Sequence, residues 1–163
     1  MNRTTEIEDL IDIDRYPVND RASDRASDRA TAMLARAREA LQRDGACMFP
    51  SFLRPAAVDA AIRAAHRGAG DAFRTAMLHD IDFSGVTEAE LPSSSPHRFR
   101  LRTAKSGKAY DRITIDSPLR RIYESEDVTA FVGSALGIEP LFRMDDPLGA
   151  LNVMYYEPGD ELG

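Results

Sequence analysis

The sequence contains a single cysteine, no tryptophan and no long apolar run among its 163 residues. Cys47 alone cannot form an internal disulfide, and no Cys/His spacing of the zinc-binding type is present. No apolar run approaches the roughly 20 residues that a membrane-spanning helix requires. The first 30 residues also lack the apolar segment of a signal peptide. We therefore expect a cytoplasmic protein whose fold depends on packing alone.

Excess basic charge is also missing, because 21 lysines and arginines stand against 27 aspartates and glutamates, with a pI near 5.1. This balance leaves no electrostatic footprint for nucleic acid or for an anionic membrane surface, so the expected partners are small or neutral molecules. The length is that of one domain, and an apolar fraction of 43% is ordinary for a globular protein. The composition does not indicate an oligomeric state.

The first part of the chain divides into an arm and a helix. Residues 1–19 carry acids and a small apolar cluster ahead of Tyr16-Pro17, which favours a flexible arm over a core element. A helix is predicted from Asp20 to Asp44, beginning with an Asp-Arg-Ala-Ser repeat that we interpret as a solvated face rather than a binding surface. Gly45 follows as its C-terminal cap. The apolar stripe of this helix is formed by Ala30, Met33, Leu34, Ala37 and Leu41.

The middle of the chain is predicted to alternate between strands and helices. Residues 45–50 are typical of a short buried strand between glycine and proline, and Pro55 begins a second helix. Phe73, Met77 and Leu78 suggest further helix, and residues 80–96 suggest a polar loop. The inner stripe of the second helix is expected at Val58, Ala61, Ile62 and Ala65.

Residues 97–103 alternate strictly between two sets of side chains, as in a strand. Arg98, Arg100 and Arg102 then share one face. This face is either solvated or a binding site for carboxylates, because guanidinium groups bind carboxylates in a bidentate manner.

The last part of the chain is predicted to contain helices and strands in succession. Residues 110–115 suggest a strand, Ser117-Pro118 begins a helix, and Ser125 or Asp127 caps another helix that ends at Gly137. Residues 138–144 and 150–156 suggest two strands joined by a turn. Exposed apolar surface and a tendency to aggregate are expected for these two strands.

The closing strand presents Asn152, Met154 and Tyr156 on one side, and Leu151, Val153 and Tyr155 on the other. The first side carries an amide and a phenol together. It is either the lumen of a barrel or the wetted side of an ordinary edge strand.

The string from Asn152 to Gly163 resembles a segment of the Fe(II)/2-oxoglutarate-dependent oxygenases, in the branch of amino-acid halogenases and hydroxylases. In that family a Y-x-P-G segment leads into the metal-binding H-x-D, H-x-E or H-x-G pair, and Tyr156, Pro158 and Gly159 occupy its positions.

The resemblance covers roughly residues 45–163, and the string from Asn152 is its specific part. Residues 45–53 are similar to the segment that precedes the barrel in that family. It implies an α+β fold in which N-terminal helices pack on the first strands of a double-stranded β-helix, a cupin-like jelly-roll barrel. Residues 20–163 would form its N-terminal part.

The resemblance also implies an activity and the residues that serve it. Tyr156 and Asn152 would bind the 2-oxoglutarate cosubstrate, and Arg100 and Arg102 would bind a small, amino-acid-like substrate. The complete enzyme would use Fe(II) to hydroxylate or halogenate its substrate, and the residues present do not distinguish these two reactions. The alternative is a non-catalytic acidic α+β module for protein interactions.

The sequence departs from the family at the metal. Its three histidines, His66, His79 and His97, have no acid two residues later on a common strand face. We interpret all three as surface or structural residues, and expect neither iron nor 2-oxoglutarate to bind this chain tightly. The 163-residue chain is therefore expected to be inactive by itself.

Overall fold

The computed structural model describes residues 7–20, 27–80 and 91–161, and combines helices with one sheet. The α+β class predicted from the sequence is confirmed at this level. Single turns of 3-10 helix at Ala69–Asp71, Pro96–Arg98 and Tyr110–Arg112 link the longer elements. These elements are helices α1 (Asp28–Asp44) and α2 (Pro55–Gly68), strands β1 (Phe73–Asp80) and β2 (Arg100–Lys108), helices α3 (Pro118–Glu124) and α4 (Glu126–Leu136), and strand β3 (Val153–Tyr155).

The sheet is antiparallel, with β2 in the middle. β1 pairs along its whole length with β2, from Phe73 opposite Gly107 to Asp80 opposite Arg100. β3 pairs only with the end of β2, where Tyr155 lies opposite Ser106. Within the described ranges the sheet has these three strands, and they form no barrel or jelly roll.

The two faces of the sheet have different surroundings. The Tyr155 hydroxyl donates a hydrogen bond of 2.8 Å to the carbonyl of Ala65 in α2, so we call this the helix-side face. Because residues directly opposite each other share a face, the even-numbered residues of β1 and β2 belong to it. The opposite face carries Met154, and it exposes several large apolar side chains, including Phe73, Met77 and Leu101.

The N-terminal residues form part of the core, and this corrects the expectation of a loosely held arm for residues 7–18. Ile11 is fully buried, and the Asp12 amide donates to the Phe52 carbonyl at 3.0 Å while the Arg54 amide donates to the Leu10 carbonyl at 2.9 Å. These bonds flank an antiparallel bridge between Ile11 and Leu53. The buried cluster consists of Ile7, Leu10, Ile11, Tyr16, Val18, Met33, Ala57 and Phe131.

Residues 45–50 do not form the predicted strand. Phe49 packs against Tyr16 and Phe131, with ring centroids 5.5 Å and 5.3 Å away. Met48 is 84% exposed, so the run is not buried as a whole. The strand-like pairing of this region lies instead at the Ile11–Leu53 bridge, slightly further along the chain.

Helix α1 begins later than predicted, because the Ser27 hydroxyl accepts a hydrogen bond from the Ala30 amide at 3.2 Å and caps it. Residues 21–26 of the repeat lie outside the described residues. Gly45 ends the helix in the left-handed conformation, as predicted. The stripe is confirmed for Ala30, Met33 and Ala37, which are buried.

Helix α2 begins at Pro55 as predicted, but its inner face is offset. Ala57 and Gly68 are buried, whereas Val58 and Ile62 are exposed, so the predicted stripe is wrong for those two residues. The proposed helical extension at residues 73–78 is also wrong, because these residues pair with β2 as a strand.

For the last part of the chain, the predictions that rest on residues at helix ends are confirmed. Pro118 begins α3, and the Ser125 hydroxyl accepts from the Val128 amide to cap α4, which ends at Gly137. Residues 110–115 and 138–144 are not strands, and the closing strand is shorter than predicted. None of the helices in the described parts of the chain is long and apolar enough to cross a membrane.

The apolar surface expected near the end of the chain is present. Phe142 is 81% exposed, and Met144, Leu148 and Met154 are exposed as well. The tendency to aggregate that was inferred from this surface stays a prediction.

Candidate functional site

The alternation predicted for the closing strand is present. Val153 and Tyr155 are partly buried, whereas Asn152, Met154 and Tyr156 are exposed. Tyr156 is half exposed, and the Asn152 side-chain amide makes a long contact of 3.5 Å to the Gly149 carbonyl. The phenol and the amide therefore flank β3 at its two ends and face solvent.

Tyr155 differs sharply from its neighbour Tyr156. Its hydroxyl donates to the last turn of α2, and burial raises the pKa of this hydroxyl. Tyr155 thus joins the sheet to the helix, while the Tyr156 ring remains half exposed. The two adjacent tyrosines have separate surroundings because successive side chains of a strand point to opposite faces.

The structure separates the predicted arginines. Arg98 lies in a 3-10 turn, where its guanidinium donates to the Leu91 carbonyl at 2.8 Å, so the predicted face of three arginines is wrong. Arg100 and Arg102 are exposed residues of β2, and their positions belong to the helix-side face. The alternation of β3 places Tyr156 with Met154 on the opposite face. The predicted cosubstrate and substrate residues are therefore not brought together on one face.

The Pro-Gly segment after β3 forms a tight turn that returns to the sheet. Gly159 has a φ of 89°, a conformation that glycine adopts without strain. The Asp160 amide donates to the Glu157 carbonyl at 2.9 Å, closing the turn. Beyond it, the Glu161 carbonyl accepts a hydrogen bond of 2.8 Å from the Ala104 amide of β2. After β3, the segment thus loses its hydrogen bonds to β2 for one turn and then bonds to β2 again.

This turn places Asp160 against Arg74 of β1. The Arg74 guanidinium donates to both carboxylate oxygens, at 2.6 Å for Nη1 to Oδ2, and the Asp160 side chain is only 3% exposed. The Glu157 amide also donates to Oδ2 at 2.8 Å. The bond from Arg74 is the main cause that lowers the pKa of Asp160 to about 2, and the charge of Arg102 contributes further.

Sequence reasoning missed Arg74 because its segment was assigned to a helix. Nothing in residues 71–79 alone indicates a partner 86 residues later. Arg102 was predicted to bind the substrate. Its positive charge acts in part on the carboxylate of Asp160 in the same chain.

The three histidines lie on different elements of the chain. His66 lies on α2, His79 on β1 and His97 in the 3-10 turn before β2. In the ranges that the structure describes, no three His, Cys, Asp or Glu side chains converge in a way that could hold a metal ion. The described side chains therefore do not supply the converging ligands that Fe(II) requires.

A cleft of about 1290 Å³ lies between α3, α4 and residues 138–145. One of its carboxylates, that of Glu124, accepts hydrogen bonds from the Tyr110 hydroxyl and, at 2.7 Å, from Arg120. These bonds, that of Tyr110 first, lower the pKa of Glu124. Arg143 donates to the Glu124 backbone carbonyl at 2.7 Å. Glu124 therefore stabilises the fold around the cleft.

A smaller cavity, of about 230 Å³, lies between α2, the paired ends of β2 and β3, and residues 113–119. Lys108 and Arg67 reach it from β2 and α2, and Tyr155 closes one side. It is separate from Tyr156, which lies on the other face of the sheet.

Comparison of the chain with protein-family models, with curated proteins and with solved structures finds no match.

Proposed function

We propose that this chain is the N-terminal part of an Fe(II)/2-oxoglutarate-dependent oxygenase that hydroxylates or halogenates a small, amino-acid-like substrate in the cytoplasm. The observation that carries the proposal is the segment Tyr156-Glu157-Pro158-Gly159, which resembles the family's approach to its metal ligands. The segment consists of a strand end with an exposed phenol, followed by a tight turn at Gly159, and this geometry supports the proposal.

Within this proposal, Tyr156 and Asn152 contribute hydrogen-bond donors for 2-oxoglutarate. Both groups are exposed at the ends of β3, and a phenol and an amide each donate to a carboxylate. The metal ligands would come from residues other than those described. The part played by this chain is therefore to hold and orient the cosubstrate.

Binding of the substrate by Arg100 and Arg102 stays a prediction, and the register of the sheet limits where the substrate could lie. Both belong to the helix-side face of β2, so a substrate held there would not share a face with Tyr156. We therefore base the proposal on the Tyr156–Asn152 pair and not on the arginines.

The experiment is an anaerobic titration of Fe(II) and 2-oxoglutarate, followed by the visible charge-transfer band of the complex. The 163-residue chain should give no band, and a longer form that continues past Gly163 into an H-x-D, H-x-E or H-x-G pair should give one. In the longer form, Tyr156→Phe should weaken the affinity for 2-oxoglutarate severalfold, since one hydrogen bond to a charged group is lost.

Tyr155→Phe in the longer form is the matched control, because it removes the same hydroxyl from the adjacent residue. The Tyr155 hydroxyl is bonded to the Ala65 carbonyl on the other face of the sheet. Its removal should leave the affinity for 2-oxoglutarate unchanged.

Two results would contradict the proposal. One is a longer form that carries a histidine pair but gives no charge-transfer band. The other is a natural stop after Gly163 together with a product that unfolds cooperatively, which would favour the non-catalytic interaction module instead.

A further inference from the structure

The cavity of about 230 Å³ between α2 and the sheet has no role in the proposed function. It is smaller than the roughly 300–1,000 Å³ of pockets for drug-sized ligands. A ligand of this cavity would therefore be a small ion or metabolite.

Lys108 is the feature that suggests the charge of such a ligand. Its side chain is only 13% exposed, and the nearest carboxylate oxygen, of Asp71, lies 3.9 Å from the ammonium. That distance is longer than a hydrogen bond, and the Asp71 side chain is 77% exposed. A mostly covered lysine side chain whose nearest carboxylate oxygen lies beyond hydrogen-bond distance leaves its charge available to an anion in the cavity.

Arg67 adds a second positive charge to the cavity. Arg67 lines it from α2, so the lining holds two cations and one carboxylate, that of Asp71. Asp116 lies nearby, and its pKa is lowered chiefly by a hydrogen bond from Thr114, with a smaller contribution from the charge of Arg67. Ser117, a residue only 4% exposed, also belongs to the lining.

Lys108 also lies beside the C-terminal end of α2, where a cation is favourable. A Cβ atom at Gly68 would come within 2.6 Å of the Lys108 ammonium, so the glycine leaves the space that the ammonium occupies. This contact explains how the side chain can lie against the helix. It does not account for the open volume of the cavity that Lys108 lines.

We propose that a small carboxylate or phosphate anion binds in this cavity, held by Lys108 and Arg67. The ammonium supplies a point charge, and the guanidinium supplies a planar pair of donors suited to either oxyanion. The site is independent of the proposed oxygenase function, because it uses neither Tyr156 nor Asn152.

The test is a titration of the 163-residue chain with inorganic phosphate and, separately, with succinate, at constant ionic strength maintained with sodium chloride. Backbone amide NMR shifts are followed. We expect saturable shifts confined to residues 64–71, 106–117 and 153–155. Lys108→Met should weaken the binding about tenfold or more, since a hydrogen bond to a charged group is lost. Lys105→Met is the matched control, because Lys105 lies on the opposite face of the same strand.

Asp71→Asn keeps the proposal testable if Lys108→Met fails to fold. Removing the one carboxylate of the lining should tighten anion binding severalfold. Saturation by phosphate alone, by succinate alone or by both supports the site and shows which class of anion, phosphate or carboxylate, it binds. The proposal is overturned if neither anion saturates, if Lys105→Met and Lys108→Met weaken binding equally, or if Asp71→Asn has no effect.

Discussion

The ion pair between Arg74 and Asp160 joins two residues 86 positions apart. The carboxylate is almost fully covered and receives donors from a side chain and from the backbone. Its pKa is therefore lowered from the ordinary value of 3.8 to about 2. Because the folded chain holds this carboxylate ionised more strongly than the unfolded chain does, the pair stabilises the fold at pH values above the ordinary pKa.

This stabilisation should disappear as the pH falls from about 4 towards 2, the window between the two pKa values. We expect Asp160→Asn to be less stable than the parent chain at about pH 6, and the difference to shrink towards about pH 2. Urea unfolding midpoints at each pH measure it. Asp59→Asn, at an exposed position of α2, should follow the parent chain throughout. A difference in stability between the parent chain and Asp160→Asn that does not change with pH would contradict this account.

Tyr155 and Tyr156 provide a second comparison between single residues. Tyr155→Phe leaves the Ala65 carbonyl without its donor and should lower the free energy of unfolding by about 1 kcal/mol. Tyr156→Phe changes an exposed residue and should leave stability within about 0.5 kcal/mol of the parent. Chemical denaturation of the two variants measures both values. Equal losses would show that the two side chains do not occupy different faces.

At the scale of elements, Gly133 allows residues 138–141 to pack closely on α4. A Cβ atom there would lie 2.7 Å from the Ile138 carbonyl oxygen and 3.0 Å from the Leu141 side chain. Gly133→Ala should therefore destabilise the fold by about 1–3 kcal/mol, despite the better helix propensity of alanine.

Gly70→Ala is the matched control, because a Cβ atom at Gly70 meets nothing within 4 Å. Thermal unfolding of both variants distinguishes the two positions. If Gly133→Ala unfolds at a temperature as high as that of Gly70→Ala, residues 138–141 do not pack against α4 as described.

The elements that were predicted correctly are those determined by nearby residues. Gly45, Ser125 and Gly137 act within one turn of the helices they cap, so their effect can be read locally. β1 could not be predicted in this way, since its strand form depends on pairing with β2. The same limit applies to the site: the alternation around Tyr156 follows from strand geometry, whereas the separation of Arg100 from it depends on the register of the sheet.

At the scale of the whole molecule, the N-terminal residues contribute to the core that the helices share. Ile11 has no exposed surface, and its neighbours bond to the backbone at Phe52 and Arg54. Ile11→Ala should cost about 2–5 kcal/mol, the range for deleting most of a buried aliphatic side chain. The sequence did not indicate that the N-terminal residues are buried, because a short apolar cluster among acids shows no helical or strand period.

Ile115→Ala is the control for that prediction, since Ile115 is 72% exposed. It should change the free energy of unfolding by no more than about 0.5 kcal/mol. Urea denaturation followed by circular dichroism measures both variants. A loss below about 1 kcal/mol for Ile11→Ala would indicate that residues 7–18 are not part of the cooperative core.

The return of the chain at Asp160 and Glu161 has a consequence for synthesis on the ribosome. Arg74 and Ala104 emerge long before the residues that they bond to. Until those residues leave the exit tunnel, the sheet lacks both its third strand and the carboxylate for Arg74. During that interval the nascent chain presents unpaired strand edges and exposed apolar side chains together, a combination that favours aggregation of incomplete chains.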